Sequence, residues 1–256
     1  MEHFMKQYKK PYELKNLAKD KLQGKYGAAV LILFLYSLIT NGTTLFISML
    51  ANMTSATVYA LTGSSSAVTV MTIVFELINL TAVIILGILQ AGITLFFLNI
   101  ACGQPYATGN MFYGFKRDSG KALILSAAVG LCNAVCLYPS QYCLSAYLNN
   151  RNSQMLYIAC ILMLIGFCVY IPISLSLSQV FYLMLDYPDR TARDTLALSF
   201  QVMRGNRGRL FYLQLSFLPM IILCICSLGI GFLWLNPYMQ MTYTYFFLDI
   251  MNPAES

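Results

Sequence analysis

The sequence predicts an all-α protein: a polytopic transmembrane helical bundle of about six spans in three pseudo-repeated hairpins, with cytoplasmic amphipathic helices. Three observations predict it. The chain is 58% hydrophobic and only 10% charged, whereas a soluble domain carries about 25% charged residues. Its apolar runs are continuous and long, not the alternating strands of roughly ten residues that a β-barrel needs. Its lysines and arginines gather in alternate connections between those runs. A chain with lipid as its solvent must satisfy its backbone internally, and these runs do so as helices.

A membrane-crossing helix needs about 20 mostly apolar residues. Apolar runs cover 28–51, 67–102, 121–147, 154–186 and 210–251. The last is too long for one helix, and Gly229, Gly231 and Pro237 interrupt it. It divides into 210–228 and 234–251, giving six spans. The stretch before the first span carries Lys6, Lys9, Lys10, Lys15, Lys19, Lys21 and Lys25 and no apolar core, so no cleavable signal peptide is expected. Of the 16 lysines and arginines, all but Arg151 fall in alternate connections. The positive-inside rule therefore puts the N-terminus in the cytoplasm. The net charge of +6 points to anionic lipid headgroups on that side, and no soluble domain is available for nucleic acid.

The chain repeats itself. "LAKDKLQGKYGAAVL" precedes the first span and "LALSFQVMRGNRGRLFYL" the fifth; both hold a G-x-x-G, at Gly24/Gly27 and Gly205/Gly208. A weaker copy, "MFYGFKRDSGKALIL", places Gly120 before the third. In the second arm of each hairpin, Gly87, Pro172 and Pro237 are each followed nine positions later by an aromatic pair and a leucine. The pairs are Phe96–Phe97, Phe181–Tyr182 and Phe246–Phe247. This predicts one membrane domain of three units, about 12–102, 108–186 and 191–251, with the C-terminus also cytoplasmic. A five-span chain with an outside tail is the rival.

These stretches resemble a family of bacterial membrane proteins of unknown function, domain of unknown function 975. The likeness is strongest at "ALSFQVMRGNRGRLFYLQLSF" and "SLGIGFLWLNPY", and extends through "LKNLAKDKLQGKYGAAV" and "LMLDYPDRTARDTLALS". It departs from the family pattern at Ser174 and at Leu218–Pro219. The resemblance implies a multispanning protein of the bacterial plasma membrane and brings no activity, cofactor or catalytic residue.

The residues offer few chemical groups. Glu76 is the one acid well inside an apolar run. An intramembrane carboxyl is costly and so is a functional candidate, with Asn79 and Asn133 as polar neighbours. A neutral carboxyl bonded to another helix is the plainer reading. Gly87, Gly92, Pro172 and Pro237 are candidate helix breaks, which either line a transport site or form simple kinks. Residues 12–22 place Leu14, Leu17, Ala18 and Leu22 on one face, as in a helix lying in the membrane surface. Lys15, Lys19, Lys25, Arg204, Arg207 and Arg209 are candidate contacts for lipid phosphates.

The eight cysteines form no CxxC, and His3 is the sole histidine, so neither zinc nor any other cofactor is expected. No Ser-His-Asp set, HExxH, P-loop or GxSxG is present, and an enzyme is not expected. Two functions remain open. One is a transporter or flippase-like protein handling lipid or a hydrophobic or peptide substrate. The other is a non-catalytic accessory, regulatory or immunity component with a protein partner or as a homo-oligomer.

Overall fold

The alternation of small, capped amphipathic segments with long apolar runs becomes an alternation of short and long helices. A computed structural model describes residues 8–150 and 153–252. His3, Arg151 and residues 253–256 lie outside that range. The order is α1 (Pro11–Leu22), α2 (Tyr26–Thr62), α3 (Ser65–Leu86), α4 (Leu89–Cys102), a 3-10 turn at Thr108–Phe112, α5 (Tyr113–Lys116), α6 (Ser119–Asn150), α7 (Ser153–Leu177), α8 (Val180–Asp186), α9 (Ala192–Val202), α10 (Arg207–Leu215), α11 (Leu218–Cys226) and α12 (Phe232–Met251). The described residues contain no strand.

Local chemistry sets the short helices. Pro11 opens α1, and Glu13 accepts the Lys10 backbone N–H at 2.8 Å. That bond holds the Glu13 carboxyl below the usual range. Thr191 caps α9 through the Asp194 N–H. The turn from α1 into α2 passes through Gly24 (φ 74°) and that from α9 into α10 through Gly205 (φ 90°). Side-chain-bearing residues rarely adopt this conformation, so the first glycine of each G-x-x-G is a reversal point.

Five helical segments are long and apolar enough to cross a membrane: Tyr26–Thr62, Ser65–Cys102, Ser119–Leu144, Ser153–Asp186 and Arg207–Cys226. The expected sixth arm forms as α12, but Asn236, Gln240, Asp249 and its run of tyrosines and threonines keep it outside that set.

The chain divides into two packed units. The first gathers the chain up to Leu35, Leu89–Ala122 and the chain from Leu175 onward. Its core holds Leu14, Met203, Leu210, Phe217, Leu235 and Phe246. All three aromatic pairs are buried here, and Tyr182 stacks on Phe247 at 4.9 Å between ring centres. The α1 face expected to meet lipid is covered instead: Leu14, Ala18 and Leu22 are buried, with α12 and α4 against the helix.

The second unit comprises Tyr36–Ile88 and Leu123–Ser174. Its surface is largely apolar, and α3 buries no residue fully. Along α2 the hydroxyls of Thr40, Thr43, Thr44, Thr54, Thr57 and Thr62 each donate to the carbonyl four residues earlier.

Close backbone approach decides one glycine. A Cβ at Gly92, in α4, would strike the carbonyls of Asn110 and Met111 in the 3-10 turn, while one at Gly27 meets open space. Gly92→Ala should therefore cost about 1–3 kcal/mol. Gly27→Ala should leave stability unchanged or raise it, since it removes a poor helix former. Thermal unfolding followed by circular dichroism in detergent micelles checks both.

Candidate functional site

The most closely connected polar cluster lies in the first unit, around Asp249 in the last turn of α12. Arg209, from the first turn of α10, donates Nη2 to Asp249 Oδ2 at 2.7 Å. The backbone N–H of Lys9 donates to Oδ1 at 3.2 Å. The same guanidinium reaches the Lys9 carbonyl and Asn206 Oδ1, and it stacks over Tyr8 at 4.1 Å. The Asp249 side chain is 3% exposed and that of Arg209 26%. This is the one salt bridge among the described residues, and it joins the N-terminal segment, α10 and α12. The charge pattern of the sequence points Arg209 at lipid phosphates and gives Asp249 no partner. The missed signal was a lone acid in a hairpin whose other arm begins with a cluster of arginines.

The remaining candidate cations divide. Lys15 donates to the Ser216 carbonyl at 2.8 Å and stands 4.0 Å from the centre of the Phe217 ring. Burial pushes its ammonium below the ordinary lysine range. Lys25 lies 5.4 Å from the centre of the Tyr106 ring. Arg207 faces Phe200, and its Nε is buried without a hydrogen-bond partner. Lys19 and Arg204 are exposed. Two of the six, Lys15 and Arg209, are thus engaged by protein groups that a phosphate would have to displace.

Glu76, Asn79 and Asn133 all fall in the second unit. Glu76 and Asn133 are exposed; Asn79 is half-buried, with its Oδ1 lacking a partner. No hydrogen bond joins the three among the described residues. Tyr138 lies within electrostatic reach of Glu76.

The four candidate breaks behave differently from one another. Only Gly87 sits at an interruption, between α3 and α4. The absent side chain leaves room for Ser126, whose hydroxyl donates to the Ile84 carbonyl at 2.6 Å. The bond satisfies a carbonyl at the helix end. Gly92 is inside α4, Pro172 inside α7 and Pro237 inside α12, each helix continuing through it. The second interruption falls at Ser178–Gln179, between α7 and α8. A proline removes one donor and kinks a helix without necessarily ending it.

Asp249→Ala leaves Arg209 partly buried without its carboxylate, and about 2–4 kcal/mol of stability should be lost. A double-mutant cycle with Arg209→Ala should return a coupling of about 1–3 kcal/mol. Denaturant unfolding of the four proteins in micelles measures it; additive losses would mean that the pair does not act together.

No curated protein and no solved structure matches this chain. A family model described as "Protein of unknown function (DUF975)" matches residues 5–254, nearly the whole chain, and the protein belongs to that family.

Proposed function

We propose that this protein is a non-catalytic component of the bacterial plasma membrane that works by assembling with another membrane helix across α3. The observation that carries the reading is the exposure of Glu76. A charged residue at the centre of a membrane helix costs about 2.5–3.5 kcal/mol on insertion scales, so such residues face a bundle interior or a watery cavity. In this chain Glu76 faces outward. An interior around it is then supplied by a partner helix, whose polar groups would accept or donate to the carboxyl.

The reading includes a topology of three hairpins, each entering and leaving on one side, with both ends of the described chain on the cytoplasmic side. Support comes from contacts that bring the entry and exit of each hairpin together. The Lys21 ammonium lies beside Gly103, Lys121 donates to the Tyr187 carbonyl, and Lys9 and Arg209 meet Asp249. An even number of crossings separates two points on one side of a bilayer. The low hydropathy of α12 goes with its cover of protein: α1 packs along it, from Lys9 beside Asp249 to Lys19 beside Gly231 and Trp234, so α12 lies with α1 on the cytoplasmic side. The three-unit repeat is supported by a left-handed residue at the foot of each hairpin: Gly24 and Gly205 at matching positions, and Asp118 one residue out of register with them. The gathering of the cationic residues in alternate connections supports a cytoplasmic position for that side.

A transporter or flippase-like protein is the second reading. The interruptions at Gly87 and at Ser178–Gln179 favour it, because broken helices often surround substrate sites.

A photo-crosslinking amino acid at Ile73 or Leu77, both exposed beside Glu76, should yield one discrete protein adduct in cells. Purified protein in liposomes should give the same adduct if the partner is a second copy. Glu76→Leu should weaken it several-fold. Adducts to lipid alone, unchanged by the substitution, would overturn the assembly reading. Lipid scrambling or proton flux above empty liposomes, lost in Glu76→Gln, would establish the second reading instead.

A further inference from the structure

Within the first unit a cavity of about 410 Å³ opens where α1 and the start of α2 meet the turn between α11 and α12. That volume lies within the range of about 300–1,000 Å³ common to small-molecule sites. Its walls are apolar, formed chiefly by Leu223, Cys224, Trp234 and Leu235. The polar side chains in its lining are Lys19 of α1, Tyr26 of α2 and Tyr238 of α12.

The cavity is preformed. The α11–α12 turn is closed by Gly229 N–H on the Cys224 carbonyl at 2.9 Å and by Gly231 N–H on the Ser227 hydroxyl at 3.0 Å. Gly231 itself packs so tightly on Cys224 that a Cβ there would fall 2.6 Å from the sulfur. Its exposed lining is Leu223 at 69% and Trp234 at 57%, together with Lys19.

A largely apolar chamber with an exposed leucine, tryptophan and lysine, in a membrane protein, suits an amphiphile drawn from the bilayer. Lys19 sets the sign of the head. It is exposed and makes no salt bridge among the described residues. The complement is an aliphatic chain ending in an anion, and the most abundant such molecule in a bilayer is an anionic phospholipid. We infer that this cavity is a binding site for a phospholipid with an anionic headgroup, one acyl chain lying against Trp234 and Leu235 and the phosphate held by Lys19. Tyr26 and Tyr238 supply hydroxyl donors to the same head. The site goes beyond the assembly reading and does not depend on it, since none of its residues lies on α3.

Trp234 is the sole tryptophan of the chain, so intrinsic fluorescence reports this cavity directly. The full-length protein is reconstituted in phosphatidylcholine vesicles containing a small fraction of lipid with brominated chains. Brominated phosphatidylglycerol should quench Trp234 with an apparent affinity at least threefold above brominated phosphatidylcholine. Lys19→Gln should abolish that preference. Lys116→Gln, which removes the same charge from an exposed position away from the cavity, should keep it. Met220→Phe, narrowing the cavity wall, should weaken quenching by both lipids.

Equal quenching by the two lipids in the wild type would overturn the site. So would loss of preference in both lysine variants, which would reduce the effect to general surface charge. Saturating quenching by a brominated fatty acid that phosphatidylglycerol cannot displace would overturn the phospholipid assignment. Each variant is first required to elute as the wild type does in detergent.

Discussion

A carboxylate withdrawn from water has to be met by a cation and by hydrogen-bond donors, and Asp249 imposes that condition on three parts of the chain. It is 3% exposed at its side chain. Arg209 and the Lys9 backbone satisfy it, and neither can do so unless the beginning of α1, the beginning of α10 and the end of α12 lie together. Hydrophobic contact alone is indifferent to register, because one leucine face fits another in many ways. An ion pair with a fixed fork of donors is not. Around it the aromatic core falls into place: Phe246 lies beneath the guanidinium, and Phe217 and Leu210 pack in the same cluster. The pair thus contributes more to the choice of arrangement than to raw stability, as buried polar groups do in some proteins.

Much of this fold was readable from the sequence, for reasons that differ by element. The five long apolar runs were evident because composition over 20 residues is a strong signal. The G-x-x-G glycines marked real reversals at Gly24 and Gly205, because a left-handed residue has few substitutes. Of the α1 face that the spacing marks, Leu14, Ala18 and Leu22 are buried and Leu17 is partly exposed, and the cover is α12 and α4, which the spacing does not reveal. An amphipathic period reports that a stripe is buried and says nothing of whether lipid or protein buries it. The same limit applies to Lys15 and Arg209, which a charge count assigns to lipid and which protein carbonyls, a carboxylate and aromatic rings engage. Long-range pairing, such as that of Arg209 with Asp249, has no local signature.

The helix breaks teach a related lesson about prolines. Pro172 and Pro237 were natural candidates for interruptions, yet both α7 and α12 run through them. The interruption that forms at Gly87 depends on a partner elsewhere in the chain, the Ser126 hydroxyl that takes up the Ile84 carbonyl. Where a helix stops is decided by whether its freed carbonyl finds a donor, and that donor can be far away in sequence. Gly92 is the converse: it lies within an unbroken helix and serves the backbone of the 3-10 turn packed against it.

The threonines of α2 alter what its surroundings meet. By side-chain type the stretch from Thr40 to Thr62 is studded with hydroxyls, a pattern that suggests a wet face or a path for a polar solute. Each of those six hydroxyls is already spent on the carbonyl one turn earlier. What remains to be presented outward is chiefly the γ-methyl group. To a neighbouring acyl chain the helix is therefore close to a valine-rich rod. To a water molecule or an ion those six threonines offer lone pairs but no free donor. Polar lettering in a membrane helix and polarity at its surface are separate quantities, and α2 is rich in the first while poor in the second.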